Sequence, residues 1–171
     1  MYEFLRESIG EGTVLVHHQG YRAALARSID RAEKAVRVAA YVTAFRIKKE
    51  GDPVGDLVKA LRRKKESGLD VAVILDGPKK GASNYNPAMM FLYFLGRTGF
   101  RYAVNLRAPT LHMKVVIIDE RKCFVGSHNL TRSSVDNPLD CTVEIRDPGL
   151  VRKMIVNYEL LFREITGGKS F

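Results

Sequence analysis

Short apolar runs and segments of helical periodicity alternate along this chain. Runs rich in β-branched and other apolar residues predict strands, at residues 13–17, 36–42, 71–76, 100–105, 115–118, 123–125 and 141–145. Apolar residues three and four positions apart predict helices, at residues 21–35, 54–67, from Pro87 to near Gly99, and from Pro148 through VRKMIVNYELLFREI. Strands that alternate with helices imply a sheet covered by helices on both faces.

The polar turn at residues 119–122 lies between two of the predicted strands and closes a hairpin. Because a hairpin makes antiparallel neighbours, the sheet is expected to be mixed rather than purely parallel. With 171 residues, 46% of them hydrophobic and no low-complexity tract, the chain suits a single domain over residues 1–171.

The lengths of the apolar runs and the positions of the two cysteines predict the location of the protein and the state of its thiols. No apolar run is long enough to span a bilayer, and MYEFLRESIGEG lacks the features of a signal peptide. A cytoplasmic location is therefore expected, with an exported form left open if a signal peptide has been removed. Cys123 and Cys141 fall in predicted strands without metal-ligand spacing, which predicts reduced thiols in the core.

A group of polar residues in LHMKVVIIDERKCFVGSHNL follows the order H-x-K-x4-D-x6-G-S-x-N. Its members are His112, Lys114, Asp119, Gly126, Ser127 and Asn129. Side chains alternate in a strand, so His112 and Lys114 are expected on one side, with Met113 and Val115 on the other. The hairpin then returns the G-S-x-N turn to the end of the sheet where His112 lies.

These residue types suit a phosphate site. Lysine is a compact charge for phosphate, glycine lets the backbone approach a ligand closely, and serine and asparagine offer donors to anionic oxygens. An imidazole can attack phosphorus to give a phosphohistidine that water then resolves, a route that requires no metal or other cofactor. The competing interpretation is a histidine at a strand end, a snorkelling lysine and an ordinary turn. That interpretation suffices for H-x-K alone, whereas the whole pattern favours phosphoryl transfer.

The pattern resembles the HKD signature of the phospholipase D superfamily, and the single copy resembles its small endonuclease branch. AVRVAAYVTAF, SGLDVAVILDG and TVEIRDPGLVRKMIVNYELLF are similar to family strands and to the closing strand and helix, so most of the chain is covered. The resemblance implies the family's α/β/α sandwich. It also implies that His112 is the nucleophile, that Lys114 and Asn129 bind phosphate with Ser127 as an additional contact, and that Asp119 is chiefly structural.

The family also has a carboxylate after the G-S-x-N turn that hydrogen-bonds the catalytic imidazole. The best counterpart here is Asp140, where relatives usually carry glutamate, and its side chain is one methylene shorter. Such a carboxylate would fix the tautomer of the imidazole and raise its basicity. A solvated loop acid is the alternative for Asp140, and Asp136 and Glu144 are the other candidates for the orienting role.

One H-x-K copy leaves the leaving oxygen without an acid, because a histidine that attacks phosphorus cannot also donate a proton at that moment. The sequence GASN at residues 81–84 lacks a preceding histidine and lysine and is interpreted as a loop. A two-fold homodimer that brings two copies of His112 to one cleft is therefore expected, as the resemblance also implies.

The chain carries 28 Lys and Arg against 19 Asp and Glu, a formal charge of +9, which favours polyanionic partners. Lys79 and Lys80 follow a predicted strand in DGPKKGASNYNP and are candidates for contact with a substrate backbone, together with Gly126 of the motif. The basic run at residues 62–65 has helical spacing and is interpreted as a solvated face. His17 and His18 match no common zinc spacing and are interpreted as packed or surface residues, and His128 is assigned no chemistry.

These features predict a metal-independent phosphodiesterase, foremost an endonuclease on DNA or RNA, without stable membrane association. Two alternatives stay open. A phospholipase D-type enzyme would use the same site on lipid headgroups, and a nucleic-acid-binding module with a degenerate site would bind without cleavage.

Overall fold

A computed structural model describes residues 7–8, 13–44, 50–77 and 85–168 of the chain. The strands of this part are β1 (Glu7–Ser8), β2 (Thr13–His17), β3 (Ala35–Ala40), β4 (Thr43–Ala44), β5 (Asp70–Asp76), β6 (Arg101–Asn105), β7 (Lys114–Ile118), β8 (Lys122–Gly126), β9 (Leu130–Thr131) and β10 (Cys141–Ile145). The helices are α1 (His18–Asp30), α2 (Pro53–Glu66), α3 (Tyr85–Leu95), α4 (Arg132–Val135) and α5 (Pro148–Thr166).

The two longest helices begin with the same local signal. Asp52 accepts hydrogen bonds from the backbone of Val54 and Gly55 at the start of α2, and Asp147 accepts one from Leu150 at the start of α5. A proline follows each aspartate, where its fixed φ and missing N–H are tolerated. None of the described helices combines the length and apolar composition needed to cross a membrane.

The main sheet has the strand order β1-β2-β10-β8-β7-β3-β5-β6. Strands β3, β5 and β6 are parallel, whereas β7 pairs antiparallel with both β3 and β8. The expected hairpin and the expected mixed sheet are therefore confirmed. At one end of the sheet β3, β5, β6 and β8 finish while β7 and β10 begin; we call it the His112 end, and the opposite one the Asp119 end.

Alternation along the strands divides the core into two layers. Val36, Val38, Val71 and Val73 face one layer, where residues of α1, α2 and α3 such as Leu25, Leu57 and Phe91 pack. Ala39, Ala72, Ile74 and Ile117 face the other, where Val151, Tyr158 and Phe162 of α5 pack. Helices thus cover both faces of the sheet, as the sequence predicts.

Two boundaries differ from the prediction because long-range contacts decide them. The helix predicted over 21–35 spans His18–Asp30, and Ala35 already belongs to β3. The carboxylate of Asp119 accepts hydrogen bonds from the backbone of Glu33, Lys34 and Ala35, which fixes the turn into β3. The strand predicted over 36–42 ends at Ala40, and Thr43–Ala44 pairs with Leu130–Thr131 instead.

Both cysteines are free thiols, but only one lies in the core. Cys123 is fully buried, and burial raises the pKa of its thiol to about 12. Cys141 is exposed at the start of β10, so the prediction of a core position is wrong for this residue. His17 ends β2 and His18 begins α1; their side chains lie outside the described part of the structure.

Candidate active site

His112 and Lys114 lie next to one another at the start of β7. The ammonium Nζ of Lys114 donates to the backbone oxygen of His112 at 2.9 Å and lies 3.3 Å from its Nδ1. Met113, between them, packs into the opposite layer with Val115. The two side chains therefore share one side of the strand, as alternation predicts, and His112 is exposed.

The charge on Lys114 is tuned by its surroundings. Burial lowers the pKa of Lys114, and the negative charge of Asp140 acts in the opposite direction. Among the ion pairs between described residues, none includes Lys114. Its charge is therefore available to an incoming anion, although Asp140 is close enough to influence it.

Tyr41 is part of this site, and sequence reasoning missed it. Its ring centroid lies 4.5 Å from that of His112 with a tilt of 48°, and Lys114 Nζ lies 4.7 Å from the same centroid. The available signal was its place near the end of the strand predicted over residues 36–42; in the structure it directly follows β3, whose last residue Ala40 pairs with Lys114.

Two further polar residues hold the segment that leads to His112. The Oδ1 atom of Asp76 accepts hydrogen bonds from the backbone of Leu111 at 2.9 Å and from Asn105 Nδ2 at 3.1 Å. Asn105 Nδ2 also donates to the backbone oxygen of Pro109 at 2.9 Å. Asp76 and Asn105 end two neighbouring parallel strands, which was the signal for their proximity.

Asp140 braces the motif turn rather than the imidazole. Its Oδ1 accepts a hydrogen bond from Ser127 Oγ at 2.6 Å, and its Oδ2 accepts from Ser134 Oγ at 2.7 Å and Asn137 Nδ2 at 3.1 Å. No hydrogen bond between described residues joins Asp140 to His112, so the expected direct contact is not formed. Its short side chain already has donors at both oxygens, and its influence on the site runs through Lys114 and the turn.

The bracing extends to both ends of the S-x-N segment. Ser127 Oγ, which donates to Asp140, also accepts from the backbone N–H of Cys141 at 3.1 Å, and Ser134 Oγ accepts from the backbone N–H of Asn129 at 2.8 Å. Burial raises the pKa of Asp140, but the hydrogen bonds from Ser127, Ser134 and Asn137 outweigh it and hold the pKa below its usual value. Asp140 is therefore a stable anion that organises the turn.

The other two candidate carboxylates have partners elsewhere. Asp136 forms an ion pair with Arg22 at 3.1 Å. Glu144 is buried on β10, where it pairs with Lys122 and Arg146. The structure brings neither into contact with His112.

Packing alone requires a glycine at position 126. A Cβ atom at this position would lie 2.3 Å from the backbone oxygen of Cys141 and 2.6 Å from Cα of Thr142. The close approach predicted for this glycine therefore occurs, but to the backbone of β10.

Asn129 keeps unused hydrogen-bonding capacity. Its Oδ1 atom is buried without a hydrogen-bond partner among the described residues. Buried amide oxygens are normally satisfied, so this acceptor is an exception; a phosphate oxygen would have to bind the Nδ2 donors of the same side chain instead.

His128, between the two polar residues of the turn, faces the core. It is 2% exposed, stacks on Tyr21 with ring centroids 4.4 Å apart, and its Nδ1 lies 2.7 Å from Thr142 Oγ1. The buried ring of His128 thus fixes the turn to the core, and Ser127 and Asn129 lie on either side of His128 in the sequence.

Asp119 lies at the other end of β7 from Lys114. It accepts three backbone hydrogen bonds of 2.7 to 2.9 Å. Burial raises the pKa of Asp119, but these bonds outweigh it and lower the pKa below its usual value. The residue supports the turn into β3 and stands away from the His112 pair.

Two of the basic clusters lie outside the described structure, and a third lies on α2. Lys79 and Lys80 lie outside the described residues, as do Arg46, Lys48 and Lys49. On α2, Arg62 pairs with Glu66, Arg63 with Asp30, and Lys64 donates to the backbone oxygen of Ala32. The α2 run thus has local partners at the Asp119 end, in agreement with its interpretation as a solvated face.

Comparison with known proteins agrees with this fold. The family model described as "Cardiolipin synthase, PLD-like domain" matches residues 25–162. The chain therefore belongs to the phospholipase D superfamily, and the class of enzyme is a phosphodiesterase of that superfamily.

The individual proteins that match this chain have low sequence identity to it. A protein of Rickettsia felis named phospholipase D is 26% identical over 156 residues, which cover 91% of this chain and 70% of that protein. The crystal structure of the phospholipase D family member Nuc from Salmonella typhimurium superposes with a TM-score of 0.71 at 20% identity, over 93% of this chain and 97% of that one. NucT from Helicobacter pylori gives 0.68 at 16% identity, over 93% and 98%. These two structures share the fold.

Proposed function

We propose that the protein is a metal-independent endonuclease that cleaves nucleic-acid phosphodiester bonds through a covalent phosphohistidine in a homodimeric site. The observation that carries this proposal is the pairing of an exposed imidazole with an ammonium 3.3 Å away at one end of the sheet. A nucleophile beside a fixed positive charge suits attack on an anionic phosphodiester.

In the first step, a ring nitrogen of His112 attacks phosphorus while the bond to the leaving oxygen breaks. The N–P bond forms, and His112 of a second protomer protonates the leaving oxygen. In the second step, that second imidazole takes a proton from water, which attacks phosphorus and releases His112. Lys114 and the side chain of Asn129 stabilise the charge on the non-bridging oxygens, the main catalytic task in phosphoryl transfer.

Two exposed leucines support the homodimer. Leu106, directly after β6, is 82% exposed, and Leu139, shortly before β10, is 92% exposed. Both lie at the His112 end of the sheet, on either side of the site. Single exposed apolar residues are common on protein surfaces, so these two are proposed as contact residues because they lie at the end of the sheet where two copies of His112 must meet.

The dimer is tested by mixing protomers. With two histidines required, adding excess His112→Ala protein should lower the activity of each wild-type protomer, because the mixed dimers lack one imidazole. Leu106→Glu and Leu139→Glu should shift the mass measured by light scattering towards the monomer. Leu160→Glu, at an exposed leucine of α5 (58% exposed), is the matched control. A fully active wild-type monomer would refute the dimer.

Nucleic acid is favoured as substrate by the formal charge of +9, since Lys and Arg bind the phosphate backbone and release its counterions. A phospholipase D activity is the second candidate, because the Rickettsia felis relative carries that name. The charge would also suit a binding module without catalysis.

A panel of single- and double-stranded DNA, RNA and phospholipid vesicles, each assayed with EDTA, separates these functions. The proposal expects nucleic-acid cleavage that survives EDTA and is abolished in His112→Ala and Lys114→Ala. Lys59→Ala, at an exposed lysine of α2 paired with Asp56, should retain activity. Cleavage of lipid alone would favour the second candidate, and nucleic-acid binding without cleavage would favour the third.

A further inference from the structure

Tyr41 contacts both groups on which the proposed chemistry depends. Its ring lies against the imidazole of His112 at 4.5 Å between centroids, and the ammonium of Lys114 stands 4.7 Å from the centre of the same ring. Since Lys114 also contacts His112, each of the three side chains touches the other two.

The backbone of Tyr41 is fixed on both sides. The preceding residue, Ala40, pairs with Lys114 in the sheet, and the following residue, Val42, accepts a hydrogen bond from the backbone of Leu130 at 3.1 Å. Leu130 directly follows Asn129, so the same stretch of backbone connects the tyrosine to the strand of Lys114 and to the motif turn. The backbone from which the Tyr41 ring projects is therefore located by contacts on both sides.

His112, in contrast, has few other restraints. It precedes β7 and is exposed, and its described contacts are with Lys114 and Tyr41. Asp140 has its own donors in Ser127, Ser134 and Asn137. No carboxylate among the described residues orients the imidazole by a hydrogen bond. The contact with the tyrosine ring is therefore the restraint that can orient it.

We propose that Tyr41 is a positioning residue whose aromatic face sets the orientation of the His112 imidazole and the location of the Lys114 ammonium. A ring face attracts a cation electrostatically and packs against a second ring, so one side chain aligns the nucleophile with the charge that binds phosphate. This role rests on the proposed phosphodiester cleavage, and it requires the ring rather than the hydroxyl.

The kinetic test compares Tyr41→Phe with Tyr41→Leu. Phenylalanine keeps the face and should retain activity within about twofold, whereas leucine should lower kcat on the order of 10- to 100-fold, because small misplacements of reacting groups have effects of that size. A smaller rise in KM is expected, since Lys114 remains. Tyr93→Leu is the control: Tyr93 of α3 is 64% exposed and lies beneath Arg97 at 4.5 Å, an aromatic–cation pair outside the site.

A spectroscopic test does not depend on turnover. In the wild type, NMR should show an NOE between the ring protons of Tyr41 and His112 and an upfield ring-current shift of the His112 resonances. These resonances are assigned by their absence from the spectrum of His112→Ala. Tyr41→Phe should keep that shift, and Tyr41→Leu should abolish it. The wild-type NOE decides the geometry even where a variant fails to fold.

The outcomes separate this inference from the proposed function. An unshifted His112 without the NOE, wild-type kcat in Tyr41→Leu, or equal loss in the phenylalanine and leucine variants would each overturn the role of the ring. If the wild-type protein cleaves no phosphodiester, the proposed function fails, while the NMR result still decides whether Tyr41 orients His112.

Discussion

The two ends of β7 carry polar residues of the same motif in opposite situations. At one end Asp119 is 5% exposed and accepts three backbone hydrogen bonds. About 16 Å away at strand spacing, Lys114 and exposed His112 contact one another and Tyr41. The difference shows that one motif has a half that stabilises the fold and a half that keeps its groups available for chemistry.

The pattern extends to the charges around each end. At the Asp119 end, Arg101 pairs with Asp70 and Glu159, Arg37 also pairs with Glu159, and buried Glu144 pairs with Lys122 and Arg146. At the His112 end, the carboxylate of Asp140 is bound by neutral hydroxyl and amide groups. Arg101, Arg37 and Lys122 thus have carboxylate partners, whereas no ion pair among the described residues includes Lys114 beside the candidate nucleophile.

The largest effect is expected from His112→Ala. Removal of the proposed nucleophile should lower phosphodiesterase activity by about 10⁴-fold or more, while the free energy of unfolding changes by less than about 0.5 kcal/mol because the side chain is exposed. Activity assays and urea unfolding check the two halves of this prediction. A variant that loses several kcal/mol of stability would break the comparison between the ends of β7.

Asp119→Ala should have the opposite profile. Three backbone N–H groups lose their acceptor, so the free energy of unfolding should fall by about 3 kcal/mol. The activity of the molecules that remain folded should stay near that of the wild type, because the site is at the other end of the strand. Urea unfolding, with activity normalised to the folded fraction, measures both, and a selective loss of kcat in folded protein would contradict the division.

Gly126→Ala tests whether the motif glycine serves packing. The new Cβ would meet the backbone of β10, so we expect a loss of about 1–3 kcal/mol with altered amide chemical shifts in β8 and β10. Gly96→Ala is a matched control, because the nearest atoms there lie 3.8 Å away. Equal stability of the two variants would show that Gly126 is needed for another reason.

The smallest effect concerns acid stability. The pKa values of Asp119 and Asp140 are lowered in the folded protein, so the unfolded chain binds more protons once the pH falls towards its carboxyl pKa of about 3.9. Their contribution to stability is therefore present above that pH and is lost as the pH falls further, through the folded pKa values.

Unfolding of wild type, Asp119→Asn and Asp140→Asn in urea between pH 7 and pH 3 measures this contribution. Both variants should lose stability less steeply in acid than the wild type. The contribution of partly exposed Asp140 should be below about 1 kcal/mol because solvent screens it, and that of Asp119 should be larger. A steeper acid dependence for Asp119→Asn than for the wild type would contradict the sign.

Most of the sheet could be predicted because each strand carries its own apolar pattern. Cys141–Ile145 forms as predicted, and the hairpin of β7 and β8 follows from two apolar runs around a polar turn. The end of α1 could not be predicted, since the turn before Ala35 depends on Asp119, which lies 84 residues further along the chain. Periodicity reports on local burial and contains no information on such a partner.

The motif residues could likewise be named in advance, but their contacts could not. Alternation predicts that His112 and Lys114 share a side, and the structure agrees. The bonding of Asp140 to Ser127 and Ser134 depends on the course of the segment between the turn and β10, where the sequence shows only polar residues. Tyr41 was overlooked because the strand was predicted to run to residue 42, whereas it ends at Ala40 and Tyr41 contacts His112 beyond it.

The pairing of β4 with β9 has a consequence for how the site opens. These two-residue strands connect the stretch after Tyr41 to the stretch after Asn129, with the amide of Leu130 bonded to Val42. Breaking this pair would release the backbone after Tyr41 and the backbone after Asn129 together. We therefore expect these two segments to unfold locally as one cooperative unit. The rate at which the Leu130 amide proton exchanges with solvent deuterium should therefore report how often these two segments unfold locally.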